Sequence, residues 1–167
     1  ALCVRLLWEA GVREDSRVAC CFSGSFPGLN IAVVTACEAL GAEPIVIVSV
    51  GSSTYGGNDD GLTAPEQLQL LYEDGLLAHA PAGVTWGGQG DAGESLLGHL
   101  LPGEEAALAD IEARLVKAGL APVKPGGFQE NLRWRMACYG DADCFVNVGG
   151  NVMALGENSR GLERRYG

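Results

Sequence analysis

Four short segments of the chain carry residue types from which a polar site can be built: Ser23-Gly24-Ser25, Gly51-Ser52-Ser53-Thr54, Gly87-Gly88-Gln89-Gly90-Asp91 and Gly149-Gly150-Asn151. Each joins hydroxyl, amide or carboxylate groups to glycine, which lets a ligand come close to the backbone. Set at the ends of strands and ahead of helices, such segments offer unpaired backbone N–H groups, and a helix N-terminus carries about half a positive charge. A carboxylate or phosphate is the natural ligand for such a rim. Any one of the four reads as an ordinary tight turn; the signal lies in their recurrence.

Within the first segment, Ser23 or Ser25 occupies the place of a nucleophile elbow, strand then sharp turn then helix, although the sequence is not G-x-S-x-G. A serine nucleophile needs a base. The two histidines, His79 and His99, fall in helical or helix-end segments away from the rim, and the two lysines, Lys117 and Lys124, form no obvious Ser-Lys pair. The hydroxyls are therefore read as ligand donors ahead of nucleophiles. Asp59, Asp60 and Asp91 would converge at the rim as an acid/base or hard-cation site, or else form a plain Asn58-Asp59-Asp60-Gly61 turn and an N-cap at Asp91. No spacing calls for a metal or an organic cofactor. Arg133 and Arg135 project from different faces of their helix and read as solvated or ion-paired surface arginines, with one of them reaching an acidic group as the alternative, and Asp141 and Asp143 belong to the opposite edge of the sheet.

The elements that must position these groups follow from apolar runs and punctuation. Helices are predicted at Leu2 to Ala10, Ile31 to Leu40 behind an Asn30 cap, Pro65 to Asp74 behind Thr63, Glu104 to Ala118 and Phe128 to Tyr139. Strands are predicted at Arg17 to Phe22, Pro44 to Val50, Gly83 to Trp86, Leu120 to Val123 and Cys144 to Val148. Uninterrupted apolar strands alternating with helices imply right-handed crossovers and a parallel sheet covered on both faces. The expected fold is thus a doubly wound, Rossmann-like α/β domain of about five strands over residues 1–156, with a surface tail at 157–167. In that arrangement all four glycine-bearing segments share one edge of the sheet, where open α/β folds bind ligands.

With 167 residues the chain is long enough for one domain with its own core. Its net charge of -10 disfavours non-specific nucleic-acid binding, which needs a basic face, and requires any anion site to act at short range. The longest apolar runs, around Ile31 to Ala42 and Ile45 to Val50, are far short of the roughly 20 residues that span a bilayer. Six scattered cysteines, with no CxxC, do not make a disulfide scaffold. Cys3, Cys20, Cys21 and Cys37 read as small buried apolar residues. Cys138 and Cys144 bracket a short turn and are a candidate pair in an oxidising compartment.

The segment Ser23-Gly24-Ser25-Phe26-Pro27-Gly28-Leu29-Asn30 resembles the S-G-S-F-P-x-L-N signature of the poly-gamma-glutamate system proteins. Further similarities run in the same order: Gly51-Ser52-Ser53 with Gly56, Asn58 and Asp59; Gly87-Gly88, Gly90-Asp91 and Gly93; Arg135-Met136 with Tyr139; and Val146-Asn147-Val148-Gly149-Gly150. The resemblance spans roughly residues 5 to 156. Tyr55, Asp60 and Ala64-Pro65-Glu66 depart from the family's usual Trp, Pro and more aromatic, acidic helix start.

The resemblance implies an accessory role in poly-gamma-glutamate synthesis, export or attachment at the cell envelope. It implies an extracytoplasmic place, an N-terminal membrane anchor outside this chain, and other proteins of the same system as partners. Ligand contacts then fall to Gly24, Asn30, Ser52, Ser53, Asn58, Gly87, Gly88, Asn147, Gly149 and Gly150, with an anionic polymer or small molecule as ligand. Two alternatives stand beside this reading. One is a hydrolase or transferase of γ-glutamyl amides using Ser23 or Ser25 with Asp59 or Asp91; the other is a self-assembling homo-oligomeric domain whose rim loops are packing features.

Overall fold

A computed structural model describes residues 2–51, 61–88, 91, 104–124, 126–150 and 152–155. The order of elements is α1 (Leu2–Glu9), β1 (Arg17–Phe22), α2 (Pro27–Ala39), β2 (Glu43–Ser49), α3 (Ala64–Glu73), β3 (Gly83–Thr85), α4 (Glu104–Lys117), α5 (Phe128–Tyr139), β4 (Cys144–Val148) and α6 (Val152–Leu155). The strands form one all-parallel sheet in the order β3-β2-β1-β4. In its register Cys21 lies between Ile47 of β2 and Asn147 of β4.

Alternation along the strands sorts their side chains onto two faces. Val18, Cys20 and Phe22, with Val46 and Val48, join the main core, which receives Leu7 from α1, Val33, Val34 and Cys37 from α2, Leu68 from α3 and Ile111 and Leu115 from α4. Ala19, Ile45 and Ile47 face the other way, against Tyr139, Trp134 and Cys138 of α5. Each fully buried Val, Leu, Ile or Phe contributes roughly 1.5–3 kcal/mol, so the main core carries most of the stability. The second face depends on α5.

Three expectations are corrected. Among the described residues the sheet has four strands, not about five: Val123 meets Thr85 in a single parallel bridge and its amide donates to Val84 O, but no strand forms at Leu120 to Val123. Pro122 and Pro125 flank Val123, and neither has an N–H to continue a ladder. The second helix starts at Pro27, with Phe26 at the cap position, so Asn30 lies inside the first turn and caps nothing. Proline at the first helical position is pre-organised and loses no hydrogen bond there, which moves the start ahead of the asparagine. Finally, Cys138 and Cys144 are free thiols, because one packs against the α5 face and the other against the main core on the far side of the sheet. The expected surface tail at 157–167 lies outside the described residues.

Thr63, by contrast, does cap α3. Its hydroxyl and amide both donate to Glu66 Oε2, at 2.7 and 2.8 Å, in a capping box.

Candidate functional site

The crossovers through α2 and α3 lie on the main-core face, whereas α5, on the other face, leads to β4 on the far flank of β1. Winding therefore reverses between β1 and β4. The crevice outside the C-terminal ends of those two strands is the topological switch point, the usual ligand position in open α/β sheets.

The described residues of the predicted rim segments lie side by side along the C-terminal end of the sheet, those after β1 and β4 bordering this crevice. Ser23 N donates to Val148 O at 2.9 Å and Gly24 N to Gly51 O at 3.1 Å, while Gly51 N donates to Trp86 O at 3.0 Å. These contacts need glycine. A Cβ on Gly24 would stand 2.6 Å from Val50 O, and one on Gly149, where φ is +102°, would collide with the Ser23 side chain. Gly87, at φ +80°, leaves room for Ser49, whose Cβ would lie 3.1 Å from an added methyl. Gly88 follows Gly87 at φ +77°, and Gly150 extends the β4 loop.

Several of the expected donors are spent on the fold itself. The amides of Gly24 and Gly51 bind backbone carbonyls, and Gly87 N donates to Asp91 Oδ1 at 3.0 Å. At the switch point the balance differs. The amides of Phe26 and Gly28, at the start of α2, and of Gly149 and Gly150, after β4, donate to no acceptor among the described residues. No side chain caps α2. A 13-residue helix thus directs its positive end into the crevice.

Asp91 is not a free carboxylate at this rim. It is 0% exposed and forms an ion pair with Arg135, itself 3% exposed. Thr85 Oγ1 donates to Asp91 Oδ1 at 2.7 Å, Asn131 Nδ2 donates to Oδ2 at 3.0 Å, and Arg135 Nε donates to Asn131 Oδ1 at 2.9 Å. The reading of Arg135 as a surface residue is corrected: it projects beneath α5 onto the sheet, with Nη1 3.4 Å from Cys21 Sγ. Burial pushes its guanidinium pKa down, but the charge and hydrogen bond of Asp91 together with its other polar neighbours outweigh that and the net direction is up, so the group stays charged. Burial raises the Tyr139 phenol and the Cys21 thiol, keeping both neutral at pH 7. Only the Asn131 and Arg135 spacing, one turn apart on a helix, hinted at this cluster; their shared target 40 and 44 residues away did not show.

Of the predicted catalytic residues, Ser23 is buried, with Oγ accepting a long hydrogen bond from Ser25 N at 3.4 Å. No His, Lys or carboxylate bonds to Ser23 or Ser25 among the described residues. Ser52, Ser53, Asn58 and Asp59 lie outside the described residues, as does His99. Asn30 is fully buried and its Nδ2 donates to Ser23 O at 2.9 Å; Asn147 Nδ2 donates to Gly149 O at 3.0 Å. His79 sits at the opposite edge of the sheet, its Nδ1 2.9 Å from Glu38 Oε1, beside a cavity of about 300 Å³ lined also by Asp15 and Glu43. Asp143 is at that edge too, accepting from Arg17 N at 2.8 Å.

Among the described residues no group of three His, Cys, Asp or Glu side chains is placed to hold a metal ion, and no helix is long and apolar enough to cross a membrane. The chain matches no family model, no curated protein and no solved structure.

Proposed function

We propose that this chain is a ligand-binding protein that grips a carboxylate or phosphate group at the crevice between the loops after β1 and β4. We further propose that it serves, as the sequence resemblance implies, as an accessory of poly-gamma-glutamate production or export at the cell envelope, alongside other proteins of that system. The observation that carries the binding reading is the set of amides at Phe26, Gly28, Gly149 and Gly150 that donate to nothing among the described residues, where an uncapped helix start meets the switch point. Backbone donors fixed before binding cost no reorganisation when an anion arrives.

The test is a heteronuclear NMR titration of the whole chain with short γ-linked glutamate oligomers and, separately, inorganic phosphate. The amide signals of Phe26, Gly28, Gly149 and Gly150 are expected to move first and to saturate together. Shifts confined to the opposite edge around Glu38 and His79, or none at all, would overturn the reading.

A further inference from the structure

β4 closes one side of the sheet and pairs with β1 alone. Val148 O accepts from Ser23 N on the β1 side, so alternation turns the N–H and C=O groups of Phe145 and Asn147 outward. No backbone partner meets them there among the described residues. Bare edges are commonly guarded by lysine, proline or a bulge, yet Cys144-Phe145-Val146-Asn147-Val148 carries no charge and no proline. The flank above this edge is apolar as well. Trp134 lies against Gly83 of β3, at the other end of the sheet, and Met136 stands about 200° further round α5, so Leu132 and Met136 turn toward β4. On that side the Tyr139 ring meets Phe145 edge-on, with centroids 6.1 Å apart. Met136 is 58% exposed, Phe145 51% and Leu132 36%.

From the bare edge and its apolar flank together we infer that β4 and α5 form the interface of a twofold dimer of this chain. An axis through Val146, perpendicular to the sheet, pairs β4 antiparallel with its copy. Phe145 then faces the partner's Asn147 and exchanges both backbone hydrogen bonds with it, and the reverse pair does the same. The same axis keeps both α5 helices on one face of the sheet, side by side. Because α5 turns back at Gly140 into β4, Met136 lies about 4.5 Å along the helix from Tyr139, roughly level with Val146, and meets its own copy near the axis. An extended peptide can take the strand edge, but it leaves Leu132 and Met136, one layer up, in water. β4 has five residues and α5 twelve, so they are about 17 and 18 Å long, in two layers each about 10 Å deep. The footprint is thus about 350 Å² per copy before side-chain relief is counted. A stable complex uses about 800 Å² per partner, so this dimer is a weak one, forming at about 10–100 μM. Two copies of net charge -10 repel each other and the interface residues are uncharged, so added salt strengthens it.

The test is sedimentation velocity of the whole chain from about 1 to 500 μM at low and high salt, with amide hydrogen exchange at both ends of that range. A monomer–dimer equilibrium that tightens with salt is expected. Exchange at the Phe145 and Asn147 amides, fast in the dilute protein, should slow with concentration as those groups become paired. Met136→Lys places two like charges near the axis and should weaken dimerisation about tenfold or more, whereas Leu6→Lys, at an equally exposed apolar position on α1, should leave it within about twofold. Both side chains are more than half exposed, and far-ultraviolet circular dichroism checks that the variants fold. The exchange measurement on the parent chain stands without either variant. A chain that stays monomeric throughout overturns the inference. So does a dimer that forms without protecting Phe145 and Asn147, that loosens with salt, or that Leu6→Lys weakens as much as Met136→Lys.

Discussion

Gly149 shows how narrowly single residues are specified at this rim. Its φ of +102° is strained for any side chain, and the space a methyl would need is filled by Ser23. Gly149→Ala is expected to destabilise the fold by about 1–3 kcal/mol, the range for a strained backbone position, and to shift the Ser23 amide signal; urea unfolding and NMR measure the two effects. The Asp91 and Arg135 pair sets a second residue-scale expectation. Removing one partner leaves an uncompensated buried charge, so Arg135→Met should cost about 3–5 kcal/mol in denaturant unfolding. The double variant Arg135→Met with Asp91→Leu should regain much of that loss, because two matched apolar groups leave no charge stranded. Were the double variant as unstable as the single one, the hydrogen bonds from Thr85 and Asn131, rather than the charge pairing, would be what holds α5 to the sheet.

At the scale of elements, α3 and α4 are tied by Arg114 Nε, which donates to Glu66 Oε1 at 2.7 Å while Glu66 Oε2 serves the Thr63 cap. Burial pushes the Glu66 carboxyl pKa up, but the Arg114 and Thr63 hydrogen bonds outweigh it and the net direction is down. A carboxyl with a lowered folded-state pKa stabilises fully above its unfolded value, about 4.3, and loses that contribution as pH falls through the folded value. Glu66→Gln should accordingly lower the unfolding midpoint at pH 7, and the gap to the parent chain should close below about pH 4. The boundaries of β1, α5 and β4 are legible in the sequence, since the unbroken apolar run Val18 to Phe22 marks β1, Gly127 and Gly140 bracket α5, and Gly149 ends β4. The start of α2 is not, because Asn30 looks like a cap while its amide binds the preceding loop. Likewise, Leu120 to Val123 has a strand's apolar residues, but the prolines deny it a ladder. The glycine-bearing rim was foreseeable from repetition alone. Which amides remain unbonded there was not, because that depends on carbonyls supplied by neighbouring strands.

For the molecule as a whole, charge governs how a ligand arrives. A protein of net charge -10 repels an anionic polymer over distances comparable to the screening length, roughly 30 Å at 0.01 M salt and 8 Å at 0.15 M. Association of a γ-linked glutamate oligomer should therefore speed up between those salt concentrations, measured by stopped-flow, whereas binding of L-glutamate, with a net charge of only about -1, should change far less. A slowing of the oligomer with salt would point to a basic steering patch instead.

The sheet order has a consequence for synthesis on the ribosome. β1 sits inside the sheet, yet its second neighbour is β4, and Arg17 N meets Asp143 across 126 positions of sequence. While the chain is being made, β1, β2 and β3 can associate early, but the Val18 to Phe22 edge stays bare until residues 144–148 have left the exit tunnel. An uncovered strand of Val, Ala, Cys, Cys and Phe is a template for pairing with other nascent chains. Stalling translation between α4 and β4 should thus yield a species that holdase chaperones retain, and release past β4 should free it.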